Sequence, residues 1–204
     1  MSLKNEFKFL VIIGAWNNNI FTEQWVKKYL IPDNEFKVEM AFGTVPSHRI
    51  STDKFRIEFE PGRISLIPIK FDFELCETLI DIAVKLADYL PHTPITGYGI
   101  NLVFVFKSQD VENSLIKICD KESFLGYSGI NYIESQYQHK FKFDEFENYT
   151  VNLAVKPSEE TCTFDFNFHS EAKDLVEFKG SIYDFDTPKL YKLSMDLLTT
   201  VYEV

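Results

Sequence analysis

The sequence predicts a two-layer α+β fold, with antiparallel strands carrying helices on one side, and three observations lead there. Apolar residues fall at every second position in short runs such as 36–42 and 161–170, the period of a half-buried strand. Leu75, Cys76, Leu79, Ile80, Ala83, Leu86, Ala87 and Leu90 recur instead at three- and four-residue steps, the period of an amphipathic helix. The order strand, helix, several strands, long helix also occurs twice, so the chain reads as a duplicated β-α-β4-α unit.

In chain order, 7–13 is a β-rich run ending at Gly14, and Trp16, Asn17, Asn18 and Asn19 form a turn cluster. A helix over 22–30 follows, capped by Thr22 and turning Trp25, Val26, Tyr29 and Leu30 to one stripe. Pro32, Asp33 and Asn34 end it. Strands are expected at 36–42, more weakly at 47–51, and at 55–59, where Pro61 and Gly62 turn the chain into a fourth strand with Ile64 and Leu66. The long helix starts at the Asp72 cap and stops at Pro91, with Glu74, Glu77, Asp81, Lys85 and Asp88 outward.

The second half opens on a strand over 95–106 with apolar residues on both faces, which predicts a central position in the sheet. A helix over 108–119 is expected, capped by Ser108 and burying Val111, Leu115, Ile116 and Cys119. Strands follow at 132–143, as one strand or two, at 149–155 and at 161–170. Residues 170–187 are polar and irregular around Gly180, suiting a short helical turn or a surface loop. Pro188 then stands at a first helical position behind two candidate caps, Asp186 and Thr187, and a helix carrying Leu190, Leu193, Leu197, Leu198 and Val201 follows.

The two units are 1–93 and 94–204, joined by the stiff Pro91-His92-Thr93-Pro94 corner, the second longer by an insertion near 170–187. They are expected to form one compact body. This order of elements resembles the TATA-binding-protein-like (helix-grip) architecture over nearly the whole chain, although no sequence motif of that family is present. The resemblance implies curved antiparallel sheets forming a saddle, with the long helices packed on its convex side.

Composition bounds the function. The 204 residues are 45% hydrophobic and 16% aromatic, with 20 Phe, 10 Tyr and 2 Trp, enough burial to form a core without disulfides or a structural metal. The formal charge of −10, most of it after Thr93, opposes nonspecific nucleic-acid binding, and the saddle resemblance does not carry a nucleic-acid role over. Lysines and arginines form no polybasic run; Lys27-Lys28 and the alternating Lys140 and Lys142 are the densest groupings. Cys76, Cys119 and Cys162 make no close pair, which suits a reducing cytosol. No stretch approaches the ~20 apolar residues of a membrane helix, and 9–13 lacks the flanks of a signal peptide.

Motifs that carry chemistry are few. His48, His92, His139 and His169 have no metal-ligand spacing, no G-x-S-x-G elbow occurs, and Gly97-Tyr98-Gly99 lies inside a strand without the third glycine of a dinucleotide loop. The ligand or partner candidates are Trp16, Asn17, Asn18 and Asn19, which place amides beside an indole; His92, held between prolines; and His169 with Asp165, on one face of a strand. Catalytic and metal residues are not assigned, and no cofactor is expected. The stripe Phe141, Phe143, Phe146, Phe164, Phe166, Phe168 reads as core, or as a binding surface if part of it is exposed. The chain is therefore expected to be a bacterial-type cytoplasmic, noncatalytic binding module that associates with itself or with a protein partner, without nucleic acid or membrane. The alternative is a carrier or enzyme with an apolar-ligand pocket between sheet and long helix.

Overall fold

The computed structural model describes residues 2–33, 35–41, 47–111, 137–183 and 185–204. Among these residues ten strands form one sheet: β1 (Ser2–Leu3), β2 (Leu10–Gly14), β3 (Lys37–Ala41), β4 (Ser47–Ser51), β5 (Phe55–Glu60), β6 (Arg63–Pro68), β7 (Ile95–Lys107), β8 (Tyr137–Phe141), β9 (Thr150–Pro157) and β10 (Thr161–Ser170). The helices are α1 (Glu23–Tyr29), α2 (Phe73–Tyr89), α3 (Leu175–Ile182) and α4 (Thr187–Tyr202). The spatial order is β3-β4-β5-β6-β2-β7-β10-β9-β8, with β1 on β7, and every pairing is antiparallel.

β7 is the spine. Its 13 residues pair with β10 along one edge, from Tyr98 opposite Ser170 to Lys107 opposite Thr161. On the other edge they pair with β2 and then β1. Between those two strands the chain breaks at Glu6, whose φ is 55°, and resumes when the Asn101 amide N–H donates to Phe9 O at 2.7 Å. Apolar residues on both faces of 95–106 therefore did mark a central strand.

One face of the sheet is covered by all four of the described helices. Phe55, Ile57 and Phe59, then Ile64 and Leu66, Leu10 and Ile12, and Tyr98, Ile100, Leu102, Phe104 and Phe106 are buried there, continuing into Phe164, Phe166 and Phe168. Phe59 stacks on Phe21 just before α1 at 4.4 Å, Tyr98 meets Phe178 of α3 at 4.8 Å, and Phe164 meets Tyr202 of α4 at 4.9 Å. Cys76, Leu79, Ala83 and Leu86 put the inner stripe of α2 on the same layer. The Phe141–Phe168 stripe belongs to this layer too: Phe146, Phe164, Phe166 and Phe168 are buried and Phe141 and Phe143 half-buried, so it is core and not a binding surface.

The caps follow local chemistry. Thr22 accepts from Trp25 N, Asp72 from Leu75 N, Asp174 from Glu177 N and Asp186 from Lys189 N, each satisfying an orphan donor of a first turn. Asp186, not Thr187, is thus the cap of α4. Residues 170–187 hold a true helix, α3, whose Leu175, Phe178 and Ile182 are buried.

One expectation fails. Ser108 does not cap a helix: Ser108–Asp110 is a single 3-10 turn, Val111 is already extended, and the Ser108 hydroxyl donates to Ser158 O at 2.8 Å. A contact with the β9–β10 turn takes the hydroxyl a cap would use. The rest of that expected helix, with Leu115, Ile116 and Cys119, lies outside the described residues, as does 132–136 of the expected strand.

Candidate binding face and its neighbouring clefts

Among the described residues no helix lies on the other face of the sheet, and the pairing register sets what that face carries. From β3 to β9 one row runs Glu39, Arg49, Glu58, Ser65, Val11, Gly99, His169, Thr150. Residues scattered through the sequence meet here because strand side chains alternate and neighbouring strands lie in register. The half built from β3, β4, β5 and β6 is a charge lattice. Lys8 reaches Glu58 at 3.1 Å and Glu60 at 3.0 Å, Arg63 binds Glu60 at 2.6 Å, Arg56 binds Glu6 at 3.1 Å, and Arg49 pairs with Glu39. Arg63 first, and then Lys8, hold the Glu60 carboxyl down at about 2.

The half built from β7, β10 and β9 carries an amide ladder. Asn101 Nδ2 donates to Lys8 O, Asn167 Nδ2 donates to Asn101 Oδ1 at 2.8 Å, and Asn152 Nδ2 donates to Asn167 Oδ1 at 3.2 Å. The two links between asparagines join residues directly opposite in the register. Gly99 makes room for the ladder, and Gly97 lies close by on the same strand. A side chain at Gly99 would collide with the Asn167 amide, and at Gly97, whose φ is 157°, a Cβ would lie 2.7 Å from Ser170 O. Glycine inside a strand here permits close approach of neighbouring groups.

Basic side chains exceed acidic ones at strand positions of this face: Lys37, Arg49, Arg56, Arg63, Lys107, Lys140 and Lys156 against Glu39, Glu58, Glu60 and Asp165. The strand positions of this face thus run against the chain's formal charge of −10. No run of residues announced this, because each strand contributes only one or two of the basic residues.

Of the candidates from sequence, Asp165 and His169 both lie on this face, flanking Asn167. Asp165 pairs with Lys156 at 3.7 Å. His169 borders an open cleft of about 590 Å³ with Lys140, Lys142, Asn148, Thr150, Asn152, Glu171, Glu177 and Ser181. Trp16, Asn17, Asn18 and Asn19 lie elsewhere. Trp16 Nε1 donates to Ile12 O at 3.2 Å and its ring meets Phe21 at 6.0 Å, while the Asn17 side chain caps the 3-10 turn Asn18–Ile20 by accepting from Asn19 N. The cluster works as a turn, with Asn18 Oδ1 buried and unpartnered among the described residues. His92 is exposed in the turn after α2, away from the other candidates.

A second cleft, about 350 Å³, lies beside the first and shares Asn148 and Ser181 with it. Behind Ser181 is a hydroxyl chain. Tyr98 donates to Ser181 Oγ at 2.9 Å, Ser181 donates to Phe178 O at 3.0 Å, and the Tyr149 hydroxyl is 2.8 Å from that of Tyr98. Burial, with Tyr98 adding to it, pushes the Tyr149 phenol far above its ordinary value, so this chain locks α3 to the sheet as neutral hydroxyls. The Cys76 and Cys162 thiols are buried and free, pushed up to about 12 and about 11 by desolvation, and are poor nucleophiles there. No cluster of three or more His, Cys, Asp or Glu that could hold a metal occurs among the described residues, and no helix there is long and apolar enough to cross a membrane.

Comparison with protein-family models finds no match, and no curated protein matches the chain. The functional reading therefore rests on the chemistry of the face.

Proposed function

We propose that this chain is a noncatalytic binding module that engages an acidic protein partner through the face of the sheet opposite the helices. One observation carries the reading: on a chain of formal charge −10, the strand positions of that face display an excess of lysine and arginine. Lys107 and Lys140 there make no ion pair with a described residue, and the exposed Asn152 keeps its amide oxygen for a partner. Charges so arranged act mainly on encounter rate and specificity. The ion-paired state of Lys8, Arg49, Arg56, Arg63 and Lys156 favours a protein over a phosphate backbone, which needs cations free to replace counterions.

The fold reading is a proposal of the same kind. About the β2–β7 pair, β6, β5, β4 and β3 step outward on one side and the three described strands β10, β9 and β8 on the other, each series running back through the chain; this partial symmetry supports a duplicated, TATA-binding-protein-like β-α-β4-α unit. Two buried free thiols suit a reducing, cytoplasmic setting. Against a carrier or enzyme with an apolar pocket between sheet and long helix stands the filling of that layer by aromatic rings, with the described clefts opening instead at the surface among mainly polar residues.

The test uses a photo-crosslinking amino acid placed at Asn152, on the proposed face, or at Asp81, outward on α2, in cells of the source organism. The expected result is a discrete protein adduct from Asn152 and none from Asp81, weakened by Lys107→Glu with Lys140→Glu. No adduct from Asn152, or nucleic acid as the captured species, overturns the reading.

A further inference from the structure

We propose that β3 is a self-association edge, pairing antiparallel with β3 of a second copy about a two-fold axis through Val38. This surface is the rim of the sheet, distinct from the face assigned above, so either proposal can fail without the other. β3 is outermost in the strand order, and its outer side has no strand partner among the described residues. Edges of this kind are normally blunted by proline, bulges or charge. Here Val38 and Met40 are 39% and 62% exposed on the helix-bearing side, whereas the opposite edge, β8, exposes Gln138, His139 and Lys140.

Self-complementarity identifies the occupant. With the axis at Val38, Lys37 lies opposite Glu39 of the second copy and Glu39 opposite its Lys37, while Phe36 meets Met40 and Val38 meets Val38. Both charge pairs then fall on the polar face and all the apolar contacts on the helix side, because a two-fold perpendicular to the sheet keeps the faces aligned. An axis at Lys37 sets Lys37 against Lys37, and one at Glu39 sets Glu39 against Glu39; like charges directly opposite are destabilising. Only the Val38 register among these three joins opposite charges. An isologous pair also closes, whereas β3 docking on β8 of another copy would propagate without end. A single strand pair lies at or below the low end of the ~1,200–2,000 Å² of stable interfaces, so the dimer is reversible.

The experiment is sedimentation of the whole chain over a concentration series, joined to oxidative trapping of Val38→Cys and Met40→Cys, with the parent chain under the same oxidant as control. The expected result is a monomer–dimer equilibrium, a disulfide-linked dimer from Val38→Cys, and far less from Met40→Cys, whose mate is Phe36. Lys37→Glu and Glu39→Lys should each abolish the dimer alone and restore it when mixed, since the two variants complement each other; circular dichroism checks that both are folded. A chain that stays monomeric at the highest concentration, equal trapping at the two positions, or an open-ended series of larger species overturns the proposal.

Discussion

At the scale of single residues, His48 and Gly97 are under the most definite constraint. His48 stacks on Phe59 at 4.7 Å with Nε2 buried and unpartnered among the described residues. Burial lowers its pKa, partly opposed by a backbone hydrogen bond with Phe21. The folded chain therefore holds the ring neutral where the unfolded chain takes up a proton. Stability from this site is present above the ordinary histidine pKa of about 6.5 and falls as the pH drops below it. Urea unfolding at pH 7 and pH 5 should show a larger loss in the parent than in His48→Phe, which keeps the stack and cannot titrate; equal losses would remove His48 as the cause. At Gly97, alanine meets both the backbone conformation and Ser170 O, and a cost of about 1–3 kcal/mol is expected from the thermal midpoint. Neither constraint was visible as a motif. Gly97 was legible only as a glycine inside a strand, and His48 as one isolated histidine among four.

Single elements were read best where the signal is local. The Asp72 cap, the apolar stripe and the Pro91 stop of α2 all lie within one helix, and Thr22 and Asp186 cap theirs in the same way. Asp72→Ala and Asp186→Ala should each cost about 1 kcal/mol in chemical denaturation. Ser108→Ala should leave no helix-cap signature, since that hydroxyl binds Ser158 O; loss of helical dichroism in Ser108→Ala would contradict this. Ser108 had the residue type and the apolar periodicity behind it of a cap, and a contact 50 residues away in sequence redirected it. For α3 the reverse held: a glycine and polar neighbours masked a helix whose Leu175, Phe178 and Ile182 are held by the sheet, and tertiary burial outweighed weak propensity.

For the molecule as a whole, the two halves share one core. Residues from both sides of the Pro91–Pro94 corner belong to a single buried cluster, and β2 of the first half pairs directly with β7 of the second. Calorimetry should show one cooperative transition; two resolved transitions would mean the halves are stable apart. The α+β class, most element positions, the helix caps and the chain's acidity are encoded locally, because periodicity, capping and composition act over a few residues. The tertiary structure decided which strands are neighbours, and with that the Asn101–Asn167–Asn152 ladder, the convergence of lysines and arginines on one face, and the exposed β3 edge. Those features arise from pairing between residues far apart in the chain, where each strand supplies only every second side chain to a face, so no local pattern encodes them.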